Sequence, residues 1–241
     1  MASVNREQRV DDLLEKATES LRCGAAFEAE RMAAKALQMA RQAADFERMT
    51  AVAPTLADAR VQRMRLATEV GEITVIDEQP ITEKMKIEPG NYLVQPPQVG
   101  ADARRLRMAA LQREIPVAVL CREPRTNLGL WPIVAVGRNT IVRTKVSPPD
   151  DPEAPDLEWF LDALEAIGEW AAQTVDGELE PARRVDALLD RLEAIPEHQG
   201  LHDVLIDTAR EAHHAQKLAE QARREKASRR KKSRKSQEQS C

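Results

Sequence analysis

Cys121 closes the apolar run 117–121, where a strand following a crossover helix would present its last residue at the carboxyl edge of a parallel sheet. That edge suits ligands and nucleophiles, but a thiol nucleophile needs a base. All four histidines, His198, His202, His213 and His214, lie far downstream, and no spacing rule brings one to it. Cys121 therefore reads as a buried structural thiol. His198 and His202 are four apart and can share a helical face, as can Asp203 and Asp207, which superficially suggests a metal site. No HExxH order accompanies them, since Glu197 precedes the pair, and His213 and His214 point in different directions on a helix. The histidines read as solvated side chains. No catalytic residues, metal ligands or cofactor-binding residues emerge, and the chain is expected not to be an enzyme.

Three further segments carry recognition chemistry. After Gln95, Pro96 and Pro97 a helix opens around Val99, Gly100, Ala101 and Asp102, with Arg104 and Arg105 in its first turns. Such a start can hold an anion, but one glycine makes no cradle and Asp102 opposes a phosphate, so N-capping by Asp102 or a simple solvated turn is expected. In the loop 121–132, Trp131 stands between prolines with Leu128 and Leu130 nearby. Trp131, Leu128 and Leu130 are the candidate partner-binding residues, against the competing reading that Trp131 covers a small sheet. At the carboxyl end, Arg223, Arg224, Lys226, Arg229, Arg230, Lys231, Lys232, Arg234 and Lys235 form the densest charge in the chain. Without aromatic residues among them, they suit sequence-independent contact with phosphates of RNA or DNA, or an acidic surface.

The net charge of −4 conceals this asymmetry. Residues 217–241 hold ten Lys/Arg against three Asp/Glu, leaving 26 basic and 37 acidic side chains before them. An acidic body repels nucleic acid, so that contact would fall to the tail. Three cysteines far apart make neither a disulfide framework nor a zinc spacing, which fits a reducing compartment. The first 21 residues are charged throughout, and the longest wholly apolar run is 117–121, so a cytoplasmic location without a membrane span is expected.

The elements that must position these residues follow from periodicity. Val10, Leu13, Leu14, Ala17 and Leu21 recur at helical spacing, and Ala29, Met32, Ala33, Ala36, Leu37 and Ala40 repeat it after Gly24. The two make a helical hairpin. A third helix is expected over 55–68, entered at Pro54. From Gly71 the pattern changes to short β-branched runs at 73–76, 92–94, 117–120, 133–136 and 141–146. A helix over 101–113 lies between the second and third, which predicts a parallel crossover. Gly137, Arg138 and Asn139 predict a hairpin between the last two, through residues that accept positive φ. Residues 147–155 hold four prolines and three acids and read as a linker. Three helical stripes follow, built on Phe160 and Leu164, on Val185 and Leu188, and on Leu201 and Leu205.

The segment GAAFEAERMAAKAL, residues 24–37, resembles the second half of a tetratricopeptide repeat. Gly24 stands at its helix turn, Glu28 and Ala29 four and five residues on, and Lys35, Ala36 and Leu37 at its end. The resemblance covers one hairpin, about 10–44, and implies a non-catalytic role in holding partner proteins.

The expected protein is α+β and mostly α. A helical, tetratricopeptide-repeat-like segment covers 1–70, a small mixed α/β unit 71–146, the linker 147–155, a C-terminal helical bundle 156–222 and a disordered basic tail 223–241. Its expected role is protein–protein interaction or scaffolding through helical surfaces. The alternative is a nucleic-acid- or ribosome-associated accessory protein that uses the tail.

Overall fold

The computed structural model describes residues 2–238 apart from 79, 83 and 125–128, with side chains from 5 to 228. The fold is α+β and mostly α. Helices α1 (Ala2–Arg22) and α2 (Ala26–Gln42) form the expected hairpin, and α3 (Phe46–Thr68) packs on both. Gly24 adopts φ +77°, and the bonds from its own N–H to Leu21 O (3.0 Å) and from Ala25 N–H to Ser20 O (2.9 Å) close α1 as a Schellman turn. The same turn ends α2 with Ala44 at φ 52°, where Ala44 N–H bonds Arg41 O and Asp45 N–H bonds Ala40 O. Asp45 then caps α3 by accepting from Arg48 N–H at 3.0 Å. This cap starts α3 nine residues before the expected entry at Pro54, which lies inside the helix. Packing of Phe46, Met49 and Val52 carries the helix through the proline.

Strands β1 (Ile73–Ile76), β2 (Gly90–Val94) and β3 (Val117–Cys121) form a parallel sheet in that order, and α4 (Gly100–Gln112) supplies the predicted crossover between β2 and β3. The sheet is covered on both faces, as parallel sheets are. Leu93, Ala118 and Leu120 join the core that includes α3, while Tyr92, Val94, Val117 and Cys121 face Leu106 and Ala110 of α4.

β4 (Trp131–Val136) and β5 (Ile141–Val146) form a separate antiparallel hairpin, joined to the sheet by a bridge between Arg122 and Ile133. Its turn uses none of the expected positive φ angles. At Gly137 a Cβ would displace the Glu193 carboxylate and crowd Thr140 and Ala194.

After the linker come α5 (Leu157–Gln173), α6 (Pro181–Ala194) and α7 (Gln199–Glu238). One apolar core joins the N-terminal helices, the sheet and these last helices through Leu56, Leu93, Trp131, Phe160, Leu188 and Leu205. α7 runs back along α3, with Arg60 beside His202 and Glu47 beside His213, so the two helices are antiparallel.

α7 continues through the basic residues from 223 to Glu238. Residues 201–238 contain neither Gly nor Pro and are rich in Ala, Lys, Arg, Glu and Gln. The packed segment around Leu201, Leu205 and Ala209 supplies the nucleus, after which extension costs little. Residues 214–228 are exposed throughout. At 1.5 Å per residue the portion from 214 to 238 projects about 37 Å from the body.

Candidate functional site: a charged junction and its groove

Where α2, α3, α4 and the α6–α7 turn meet, charges occupy positions that periodicity assigns to the core. Arg63 lies on the buried stripe of α3 with Leu56, Ala59 and Ala67, and Glu30 on that of α2 with Ala26, Ala33 and Leu37. The two carboxylate oxygens of Glu30 accept from Arg60 Nε and Arg63 Nε, both at 2.9 Å. Arg63 Nη2 also donates to Glu197 at 2.8 Å. Burial raises the Glu30 carboxyl, but the charges and hydrogen bonds of Arg60 and Arg63 outweigh it and hold the group below the usual carboxylate range. Burial likewise lowers Arg63, and Glu197 and Glu30 more than restore it.

Arg107 of α4 enters the junction from the other side. Its guanidinium donates to Ala194 O, to Glu193 O at 2.8 Å and to Val136 O at 3.4 Å, so it satisfies carbonyls at the end of α6 that the helix leaves open. Arg104 bonds the Glu193 carboxylate at 2.8 Å, and the other oxygen of Glu193 accepts from Arg138 N–H.

The histidine expectation is overturned: His198 and His202 are buried, not solvated. His198 precedes α7 and caps it, its Nδ1 accepting from Leu201 N–H at 3.0 Å. Its Nε2 therefore carries the proton and donates to Glu165 at 3.0 Å. Room for the ring comes from Gly168 on α5, where any Cβ would overlap it. His202 is 1% exposed, with Nε2 on Pro196 O at 3.0 Å. Burial and the Arg60 charge push its pKa down to about 4, so the ring is neutral. Among the described residues no group of three His, Cys, Asp or Glu could hold a metal ion.

Beside the junction, α2 and α4 form the walls of an open groove of about 1520 Å³. Arg31, Arg60, Arg104, Arg105, Arg113 and Arg138 line it against one carboxylate, Glu30, and Phe27, Ala34, Met108 and Leu111 add apolar surface. A hollow of about 160 Å³ shares its Glu30, Arg60, Met108 and Leu111 lining and is also bounded by Glu193, Arg63, Arg107, Leu192 and Pro196.

The residues singled out from sequence lie elsewhere. Trp131 is not an exposed anchor but fully buried, edge-on to Trp159 with ring centres 5.3 Å apart and with Arg122 stacked 4.4 Å above it. The small core gives its one wholly buried tryptophan to the joint between hairpin and α5. Leu130 is half-buried, and Leu128 lies outside the described residues. Cys121 is buried, and desolvation with the nearby Glu123 and Asp102 pushes its thiol up to about 12. The cavity it lines with Glu197 and Arg104 holds about 30 Å³, room for a water or two. Val99 is the N-cap residue of α4, and Asp102 reaches back from the third helical position to accept from Val99 N–H at 3.0 Å. Arg223, Arg224 and Lys226 are exposed on the projecting part of α7. Arg229, Arg230, Lys231, Lys232, Arg234 and Lys235 follow on the same helix, their side chains outside the described ones. No helix of the described residues is long and apolar enough to cross a membrane.

The charged junction went unread in the sequence. Its signal was present: opposite charges standing in the apolar stripes of two consecutive helices. Set against protein-family models, curated proteins and solved structures, the chain matches none of them.

Proposed function

We propose that this chain is a non-enzymatic, cytoplasmic adaptor or scaffold that holds a partner protein on its helical surfaces. The observation that carries the reading is the groove between α2 and α4, which is larger than the roughly 300–1,000 Å³ typical of small-molecule sites. Two further observations support it. The resemblance of the α1–α2 hairpin to a tetratricopeptide repeat implies partner holding, and α2 contributes one wall of the groove. The interior ionisable groups Glu30, Arg63 and Glu197 are bonded to one another, an arrangement that builds structure rather than a reacting centre. The test is affinity capture with the whole chain as bait. One specific protein, recovered in stoichiometric amount and lost when Met108 is changed to Glu, is the expected outcome. Recovery of no specific protein would remove the reading.

A second reading has an observation of its own. The helical continuation of α7 carries the basic residues from Lys217 onward away from an acidic body. Such an arm suits phosphate contact with RNA or DNA, and with it a nucleic-acid- or ribosome-associated accessory role. Retention of the intact chain on a duplex column should fall steeply with salt and vanish on deletion of 223–241. Equal retention of both forms would sink this reading.

A further inference from the structure

β1 ends the parallel sheet with one side of its backbone unpaired. Its strand partner is β2, and beside that pairing Gln95 N–H bonds Ile76 O at 3.0 Å and the Asn91 side-chain amide bonds Glu72 O at 3.1 Å. These bonds turn Ile76 and Glu72 toward β2, and alternation turns Thr74 the same way. The N–H and C=O groups of Ile73 and Val75 therefore face outward. No backbone hydrogen bond among the described residues reaches them. Side chains fix the strand in place, Ile73 against the main core and Ile76 in the core under α4, so the edge is already ordered for a further strand. Sheet edges are commonly guarded by a lysine, a proline or a bulge, and Ile73, Thr74, Val75 and Ile76 supply none of these.

Acid stands at both ends of this edge. Glu69 and Glu88 are answered by Arg65 and Lys86, whereas Glu72 before the strand and Asp77 and Glu78 after it meet no cation among the described residues. Glu72 and Glu78 are exposed, and Asp77 accepts from the Gln95 amide at 3.0 Å. Val70, near Gly90 at the start of β2, adds exposed apolar surface. A second copy is disfavoured as the occupant, because pairing two β1 edges gathers the acids of both copies at each end of the strand pair. The chain's own arm is excluded by its composition. Residues 209–241 contain no Val, Ile, Thr, Phe, Tyr or Trp, and α7 stays helical to Glu238.

We propose that the outer edge of β1 receives an extended segment of a partner protein, rich in β-branched residues and carrying lysine or arginine at each end. Its backbone bonds Ile73 and Val75, and its cations meet Glu72 at one end and Asp77 and Glu78 at the other. The proposal rests on the adaptor reading and gives the partner a second contact, apart from the groove.

The probe is a synthetic peptide of alternating valine and threonine with lysines at both ends. Amide hydrogen exchange of the full chain, labelled with ¹⁵N, is read with and without it. At saturation, exchange at Ile73 and Val75 is expected to slow about tenfold or more, with Thr74 and Ile76, already bonded to β2, unchanged. A peptide with glutamate in place of lysine binds about tenfold more weakly. Val75→Pro abolishes binding, because proline there removes an N–H that points away from β2 and spares the ladder. A peptide N-methylated throughout tests the same bonds on the unaltered chain and should not bind. Three results would overturn the proposal: no slowing at Ile73 and Val75, equal binding by the glutamate or N-methylated peptide, or slowing that rises with chain concentration in the absence of peptide, which marks a second copy on the edge. The two readings fail separately. A captured partner recovered equally with Val75→Pro ends the edge proposal but leaves the adaptor reading standing. Protection of the edge by the peptide without any captured partner does the reverse.

Discussion

Arg63 of α3 and Glu30 of α2 bond at 2.9 Å with side chains only 3% and 7% exposed. Removing one member of such a pair leaves a buried charge without its partner, at a cost of about 3–5 kcal/mol. Glu30→Ala strips Arg63 and Arg60 together and is expected to lose at least about 3 kcal/mol, read by urea unfolding at pH 7. A loss under about 1 kcal/mol would mean that water already reaches the junction.

His202 makes stability depend on pH over a window set by its own shift. Its folded-state pKa is about 4 against an ordinary value of 6.5, so between those limits the unfolded chain takes up a proton that the folded chain refuses. Stability is therefore intact above about 6.5 and declines as pH falls toward 4. From pH 7 to pH 5 this amounts to about 2 kcal/mol. The difference between wild type and His202→Gln over that interval checks it. Parallel curves for the two would show that the ring is not held neutral.

Gly168 is a notch for the His198 ring, and Gly177 faces open space. Gly168→Ala should unseat the ring from Leu201 N–H and from Glu165, and cost about 2–3 kcal/mol. Gly177→Ala should stay within about 0.5 kcal/mol of wild type. Thermal melts of the two variants side by side suffice, and equal melting would contradict the notch.

Ala44 holds a left-handed conformation that L-residues with a Cβ adopt at a cost. Ala44→Gly relieves it and should raise stability by about 0.5–1 kcal/mol net of glycine's greater unfolded freedom. Calorimetry on the variant reads this directly.

The thiols should separate by reactivity. In a Cys241→Ser background Cys23, which is exposed, should react at once with a disulfide reagent. Cys121 should stay silent until the chain unfolds. Two fast thiols in the native state would place Cys121 within reach of solvent.

What could be read from the residues follows from the range of each interaction. The apolar stripes of α1 and α2, the β-branched runs and the glycine at the first turn are local signals, and they placed the hairpin, the parallel crossover and the β4–β5 pair. Pro54 misled because the Asp45 cap, a signal just as local, outweighs it. Periodicity shows that Arg63 and Glu30 stand among core positions, but not what they meet. Arg63 finds one partner 33 residues away and another 134 residues away. His198 depends on Gly168, and Trp131 on Trp159, pairings that only the packing of α5 creates. The basic segment from 223 follows a helix already formed, so composition alone does not show what the packed turns around Leu205 pass on to it.

The antiparallel seating of α7 on α3 has a consequence for how the chain is made. Translation delivers α3 early, with Met49, Val52 and Leu56 in place, but the helix that covers them begins at Gln199. Glu197, the second anchor of Arg63, arrives just before it. While the nascent chain lengthens from α3 to Gln199 it therefore carries an uncovered apolar face and a half-answered guanidinium, surface of the kind that misassembles when left exposed.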